Sequence, residues 1–281
     1  MIICLRPQPD CDADVAELTR LAVQSVALPM LQVAYLSGPP VLFSSADQPS
    51  DYQGIIITSK HASRYLADQA NSSSELRSLP VWCVGSGSAN ILRQAGFSIA
   101  YAGKGNAADL ADQVCQQGAA GPFLWLSGRD VHLDMTACLK AQGITVKRQV
   151  VYHADGLLTP YQVVQDHLLS EQPAAVIVFS ARTLEQFQLW LAEYAPTAKP
   201  VQLTVLAASA GLAEQARAAG YPAFEADSPD RQAVLQLCVD WFQQKCVKKS
   251  SQKLTCKPSA GIIILDKYVL DYSAELQCRW F

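Results

Sequence analysis

Short apolar runs alternate with amphipathic stretches along most of the chain. Residues 54–57 and 81–84 are consecutive apolar runs, without the alternation of apolar and polar positions that marks a strand with one solvated face. Other stretches place apolar residues three positions apart, as at Val15, Leu18 and Leu21. The pattern predicts parallel strands that are buried on both faces and joined by helices, which is the α/β class.

Residues 81–102 show the clearest succession of strand, turn, helix and strand. The apolar run 81–84 precedes a Gly/Ser turn, in which Ser86 or Ser88 is expected to cap the following helix. Gly96 is expected to end that helix in the left-handed conformation. The free N–H groups at such a helix start would face outward at the carboxyl edge of the sheet, where α/β proteins bind anions.

The chain contains an internal repeat of this pattern. A long unit of two strands with their helices covers residues 54–102 and returns at residues 175–221. A shorter unit of strand, helix and strand covers residues 1–31 and returns at residues 123–152. The order of the units is therefore short, long, short, long.

The joins between units predict which of them share a domain. A helical stretch at residues 106–121 connects the first long unit to the second short one, whereas residues 29–50 and 154–173 carry the prolines and glycines typical of linkers. We therefore predict two doubly wound parallel-sheet domains, the first discontinuous (residues 1–35 plus 170–245) and the second inserted (residues 40–152).

Two strands near residues 30–35 and 150–153 are expected to join these domains as a two-stranded hinge. Residues 246–281 have no counterpart in the repeat and are predicted to be a C-terminal extension.

Composition narrows the class of protein. A chain of 281 residues that is 50% hydrophobic can bury a sizeable core, and its net charge of -3 argues against a nucleic-acid partner. No apolar run is long enough to span a membrane. The nine cysteines include no Cys-x-x-Cys pair, which favours reduced thiols and a cytoplasmic location.

The motifs of several common catalytic sites are missing from the sequence. Residues 84–87 are similar to the start of a dinucleotide fingerprint, but Asn90 stands where that pattern needs glycine or alanine, which argues against NAD. The histidines show no metal-ligand spacing with one another or with the cysteines, so no metal is predicted. They are His61, His132, His153 and His167.

Hydroxyl groups and glycines instead recur where predicted strands end. Each hydroxyl alone could simply cap its own helix. If both domains are doubly wound, these turns would line a cleft between two carboxyl edges and offer neutral N–H donors to a large polyanion. The positions are Thr58, Ser59, Ser86, Gly87, Ser88, Ser127, Gly128, Arg129, Ser180 and Ser209.

The two-domain repeat and four local features of the sequence resemble the uroporphyrinogen-III synthase family over about residues 1–243. They are the opening strand that ends in Arg6-Pro7, the turns at 57–59 and 84–89, and the Val151-Tyr152 pair. The resemblance implies two flavodoxin-like domains and a lyase of tetrapyrrole (heme) biosynthesis. Such an enzyme cyclises hydroxymethylbilane to uroporphyrinogen III, inverting ring D through a spiro intermediate and losing water, with no cofactor.

By the same resemblance, Tyr152 is the candidate proton donor, although a tyrosine at a strand end can also be a half-buried packing residue. Arg6, Ala181 and the ten turn positions above form the expected substrate-binding set, with Ser88 at a family hydroxyl position. The family often has Gly-x-Thr-Thr-Ala where residues 208–212 read Ala-Ser-Ala-Gly-Leu, and Phe-Thr-Ser where residues 179–181 read Phe-Ser-Ala.

Two other classes of function stay open at this point. One is a non-catalytic, hinged two-domain binding protein for an anionic small molecule, and the other is a glycosyltransferase, for which the chain is short and lacks a nucleotide site. Besides the substrate, we expect no nucleic-acid or membrane partner. The protein is expected to be a monomer that can contact the enzyme supplying hydroxymethylbilane.

Overall fold

The computed structural model describes residues 1–36, 48–69, 74–117, 121–131, 133–170, 172–197 and 203–253, with side chains through residue 245. Strands and helices alternate along this part of the chain. The strands are β1 (Ile2–Cys4), β2 (Ser25–Ala27), β3 (Leu31–Tyr35), β4 (Gly54–Ile57), β5 (Val81–Cys83), β6 (Ile99–Ala102), β7 (Phe123–Gly128), β8 (Val146–Gly156), β9 (Ala174–Val178), β10 (Leu203–Ala207) and β11 (Ala223–Glu225). The helices are α1 (Asp10–Arg20), α2 (Lys60–Gln69), α3 (Ser86–Gln94), α4 (Ala107–Gln116), α5 (Met135–Lys140), α6 (Gln162–Leu169), α7 (Ala181–Tyr194), α8 (Ala210–Ala218) and α9 (Arg231–Lys253).

The first sheet has the order β11-β10-β9-β1-β2, and all its strands are parallel. It therefore combines the two amino-terminal strands with three strands from the second half of the chain, as the repeat predicts. Counted along the chain, these strands lie in the doubly wound order 2-1-3-4-5.

The second sheet has the order β3-β8-β7-β4-β5-β6. Its last five strands are parallel and follow the same doubly wound order if counting starts at β7, so this half is a circularly permuted copy of the first. β3 is the exception, because it pairs antiparallel with β8 in a register that places Tyr35 opposite Tyr152. This pair comprises the two strands predicted at residues 30–35 and 150–153. The two-sheet α/β fold is confirmed.

Each sheet is covered by an apolar cluster on either face, which explains why its central strands are apolar without alternation. In the first sheet Ile3 packs with Trp190 of α7 on one face, while Ile2 packs with Trp241 of α9 on the other. All residues of β4, β9 and β10 are buried.

Local structure differs from the sequence prediction in two places and agrees with it in a third. The predicted linker at residues 154–173 contains helix α6. α3 begins after Gly85, which has no side-chain capping bond, so the expected serine cap at Ser86 or Ser88 is wrong. The expected left-handed glycine after α3 is present, since Gly96 has a φ of +86°.

The compact unit that contains both sheets ends at Gln243, and α9 continues to Lys253. The predicted extension at residues 246–281 lies outside the described residues from 254 onward. Within the described part of the chain, no helix is both long and apolar enough to cross a membrane.

Candidate active site

Tyr152 lies on β8 at the carboxyl edge of the second sheet, beside the last residue of β7. A Cβ atom added to Gly128 would be 2.7 Å from the phenol Cζ and 2.9 Å from Oη, so only glycine leaves room for the ring. Burial raises the pKa of Tyr152 above its ordinary value of 10.0, and a hydrogen bond with the Ser59 side chain partly opposes that shift. The phenol therefore keeps its proton at neutral pH.

Two hydroxyl groups follow β4, those of Thr58 and Ser59, and both already have protein partners. Thr58 Oγ1 accepts a hydrogen bond from the indole N–H of Trp125 at 3.2 Å. Ser59 Oγ accepts one from the backbone N–H of Ala62 at 3.1 Å and so caps α2. The Thr58 hydroxyl keeps its own proton for a further acceptor.

Arg148 fixes the end of β7. Its guanidinium donates to Ser127 Oγ and to the carbonyl groups of Gly128 and Arg129, each at 2.9 Å, and stacks over the ring of Trp125. The Ser127 side chain is fully buried, and its hydroxyl oxygen accepts one of these hydrogen bonds from Arg148. Arg129 is exposed, and its guanidinium pairs with Asp155 at 3.1 Å.

The three candidate residues in the turn at the start of α3 differ in their exposure to solvent. Ser86 is exposed, whereas the side chain of Ser88 is buried within the protein. Gly87 lies beneath the side chain of Lys60, because a Cβ atom at Gly87 would be 2.5 Å from Lys60 Cε. Ser86 is therefore the most open residue of this turn, and Gly87 stays partly exposed beside Lys60.

The carboxyl edge of the first sheet carries Arg6, whose side chain is nearly buried. Its guanidinium lies 4.6 Å from the ring centroid of Phe179, the residue before Ser180. Ser180 Oγ caps α7 by accepting from the N–H of Thr183 at 3.2 Å, and Ala181 is the first helical residue. Ser209 precedes α8 and makes no side-chain capping bond, so its hydroxyl is not committed to the helix.

Two ion pairs join the sheets near these edges. Asp10 of α1 accepts hydrogen bonds from Arg6 in its own half and from Arg64 of α2 in the other half. Arg182 of α7 pairs with Asp130, after β7, at 2.7 Å. The candidate residues of both sheets therefore border one shared region.

Sequence reasoning missed three residues of α2 in this region, namely Lys60, His61 and Arg64. Burial, followed by the charge of Arg64, lowers the pKa of His61 to about 4, so its ring is neutral at physiological pH. Its Nδ1 lies 3.4 Å from Arg64 Nη1, and its ring centroid lies 5.4 Å from that of Tyr152. Their place in the first turns after Thr58-Ser59 is the signal that could have drawn attention to them.

In the described part of the chain, no three His, Cys, Asp or Glu side chains come close enough to hold a metal ion. His153 pairs with Asp155 at 3.2 Å, and His132 lies outside the described residues. The described cysteines are free thiols, and burial raises the pKa of Cys83 and Cys11 to about 12.

The chain is similar to known proteins over most of its length. The family described as uroporphyrinogen-III synthase HemD matches residues 12–236, most of the chain. The chain belongs to the uroporphyrinogen-III synthase family. Membership makes it a lyase-type enzyme of tetrapyrrole biosynthesis.

Two solved structures share the fold at low sequence identity. The uroporphyrinogen-III synthetase of Helicobacter pylori is 17% identical, with a TM-score of 0.57 over 85% of this chain and 98% of that one. A mutant uroporphyrinogen III synthase of Thermus thermophilus is 15% identical, with a TM-score of 0.53 over 88% of this chain and 99% of that one. At this level of identity the likeness concerns the fold alone.

Proposed function

We propose that this protein closes linear hydroxymethylbilane to uroporphyrinogen III. The observation that carries the proposal is the family match over residues 12–236, which spans strands of both sheets. The reaction breaks the bond between the hydroxymethyl carbon and its oxygen, inverts ring D through a spiro intermediate and releases water.

Tyr152 is the proposed proton donor to the departing hydroxyl group. Its raised pKa keeps the phenol protonated, and the absence of a side chain at Gly128 leaves room for the phenol at the end of β7. The proton given to the leaving oxygen is recovered when the pyrrole that forms the new bond loses its own proton. The sum is substrate to product plus water, and the phenol is restored.

Neutral donors at the strand ends are proposed to hold the carboxylates of the substrate. The hydroxyl groups of Thr58 and Ser209 and the backbone at Ser86 and Gly87 are the best placed for this, because each is at least partly exposed. Ser88 and Ser127 are buried, so their contribution would come through the backbone and through support of the neighbouring turns. Holding a flexible chain in the productive geometry can supply most of the rate acceleration.

A product assay tests the function directly. Purified protein would be incubated with freshly generated hydroxymethylbilane, and the type I and type III isomers would be resolved by chromatography. We expect type III product in excess of the spontaneous type I product. Only type I product, at the rate seen without protein, would reject the proposal and favour a non-catalytic binding protein.

We further propose that the protein works as a monomer in the cytoplasm and contacts the enzyme that supplies its labile substrate. Both candidate edges lie within one chain, so no second copy is needed to build the site. Analytical ultracentrifugation would test the oligomeric state, and a dimer that dissociates with loss of activity would contradict it.

A further inference from the structure

A cluster of charged side chains links α1, α2 and the start of α9. Arg6 bonds both Asp10 and Asp14, Arg64 bonds Asp10, and the guanidinium of Arg231 lies 2.5 Å from Asp14. We call these five residues, together with Lys60, the cationic cluster.

The cationic cluster holds more positive than negative charge. It has four cations, Arg6, Lys60, Arg64 and Arg231, and in the described part of the chain only two carboxylates within ion-pair distance of them, which leaves a surplus of two positive charges. The neighbouring His61 adds no charge near pH 7. Like charges held together in a half-buried region repel one another, so this arrangement favours an added anion.

Among the described residues, Lys60 is the one cation of the cluster that forms no ion pair, although the charge of Asp10 acts on it at longer range. Among the described residues no carboxylate lies within ion-pair distance of its ammonium group, which extends over Gly87 at the start of α3. Burial, and then the charge of Arg6, lowers the pKa of Lys60 below its ordinary value of 10.5. The negative charge of an anion bound beside the ammonium group would oppose both effects.

The other cations of the cluster are already engaged. Asp14 is fully buried and is held between Arg6 and Arg231, so that part of the cluster is structural. Asp10 is shared by Arg6 and Arg64, which face it from the two sheets. A ligand in this region would therefore find Lys60 without an ion pair and Arg64 already paired with Asp10.

We propose that Lys60 and Arg64 bind a carboxylate side chain of the linear tetrapyrrole, with Asp10 as the internal competitor for Arg64. The proposal rests on the proposed function and deepens it, because it adds charged contacts to the neutral donors of the strand ends. It also gives the two aspartates of α1 different roles: Asp14 stabilises the fold, whereas Asp10 sets the strength of anion binding.

Steady-state kinetics with Lys60→Met tests the proposal. We expect KM for hydroxymethylbilane to rise about 10-fold with kcat within about twofold, as for the loss of one charge-assisted contact made equally in the ground and transition states. Lys140→Met is the matched control, since Lys140 is an exposed lysine in the last turn of α5. An unchanged KM in Lys60→Met would overturn the proposal.

The Asp10→Asn variant distinguishes competition of Asp10 for Arg64 from a purely structural role of Asp10. If Asp10 competes for Arg64, its replacement should lower KM several-fold, whereas KM should rise if Asp10 only holds the two sheets together. Circular dichroism would first establish that the variant is folded. A raised KM in folded Asp10→Asn would overturn the proposal.

A binding experiment keeps the outcome distinct from that of the proposed function. Uroporphyrin III, an octacarboxylate porphyrin, would be titrated into wild type and Lys60→Met while tryptophan fluorescence is followed. Weaker binding by the variant would support the carboxylate site even if no type III product were formed. Equal affinities, or no binding by wild type, would overturn the site, while type III synthesis by wild type would leave the proposed function intact.

Discussion

At the scale of single residues, the proposed chemistry depends on the phenol of Tyr152. We expect Tyr152→Phe to lower kcat by roughly 10²-fold, the usual effect of losing a general acid, with little change in KM or in the free energy of unfolding. The ring and its packing are kept, so the change isolates the proton. Type III product should still form, because the hydroxymethyl group leaves readily. A Phe variant with the kcat of wild type would remove Tyr152 from the mechanism.

Gly128→Ala provides a second test that leaves the phenol in place. The new Cβ atom would approach the Tyr152 ring to less than 3 Å and force the ring to move. We expect kcat to fall by at least about 10-fold, since small displacements of an acid are costly. Gly211→Ala is the control, because a Cβ atom there meets nothing within 4 Å and the position is helical. Equal activities of the two alanine variants would contradict this role for Gly128.

His61 predicts an acid sensitivity of the fold. The unfolded chain binds a proton at this ring below about pH 6.5, while the folded protein leaves it neutral down to about pH 4. Proton binding therefore stabilises the unfolded state relative to the folded state as the pH falls through this window. At pH 5 this lowers the free energy of unfolding by about 1–2 kcal/mol.

The measurement is urea denaturation of wild type and His61→Gln at pH 7 and pH 5. Gln cannot titrate, so the variant should lose about 1–2 kcal/mol less than wild type between the two values. Equal losses would mean that His61 is protonated in the folded protein, contrary to its buried position beside Arg64.

At the scale of elements, apolar runs were sufficient to predict the central strands of both sheets, because strands buried on both faces have little freedom in composition. Features that depend on side-chain conformation, such as helix caps, were harder to predict. The run 81–84 followed by Gly85 predicts a strand and a turn, but not that Gly85 itself would precede the helix without a serine cap. Helix α6 was missed because Pro160 and Pro173 flank a stretch too short to show a convincing helical period.

Arg148 illustrates an element contact that no sequence pattern reveals. It reaches from β8 to the last two residues of β7 and to Arg129, which follows them, with three hydrogen bonds. We expect Arg148→Met to reduce the free energy of unfolding by about 2–4 kcal/mol, since two carbonyl groups and a buried hydroxyl would lose their donor. Arg148→Lys should recover little, because an ammonium group cannot reproduce the planar fork.

The matched control is Arg20→Met, which removes an exposed arginine whose ion-pair partner is Glu17 in the same helix. Its effect should stay within about 0.5 kcal/mol. Urea denaturation of the three variants would decide the point, and similar stabilities of Arg148→Met and Arg20→Met would contradict the anchoring role.

At the scale of the whole molecule, the internal repeat predicts which strands share a sheet but not how the two sheets approach each other. The approach depends on side chains far apart in sequence, such as Asp10 with Arg64 and Asp130 with Arg182. For the same reason the candidate hydroxyl groups and Arg6 could be found at strand ends, whereas Lys60 and Arg64 of the cationic cluster could not. The chain passes between the sheets only twice in the described residues, before β3 and after β8, which fits a two-stranded hinge.

If the hinge opens, Arg182 should help to hold the cleft closed, because it pairs with Asp130 and also donates to the carbonyl group of Ala154. Both charged side chains are well exposed, so Arg182→Met should change the free energy of unfolding by less than about 1 kcal/mol. If the closed form lost about 1 kcal/mol relative to the open form, KM would rise about fivefold, and the radius of gyration in small-angle scattering should increase. Asp130→Asn keeps the carbonyl contact and should have the smaller effect. A lower stability with unchanged KM and unchanged radius would assign Arg182 to the fold and leave closure to other contacts.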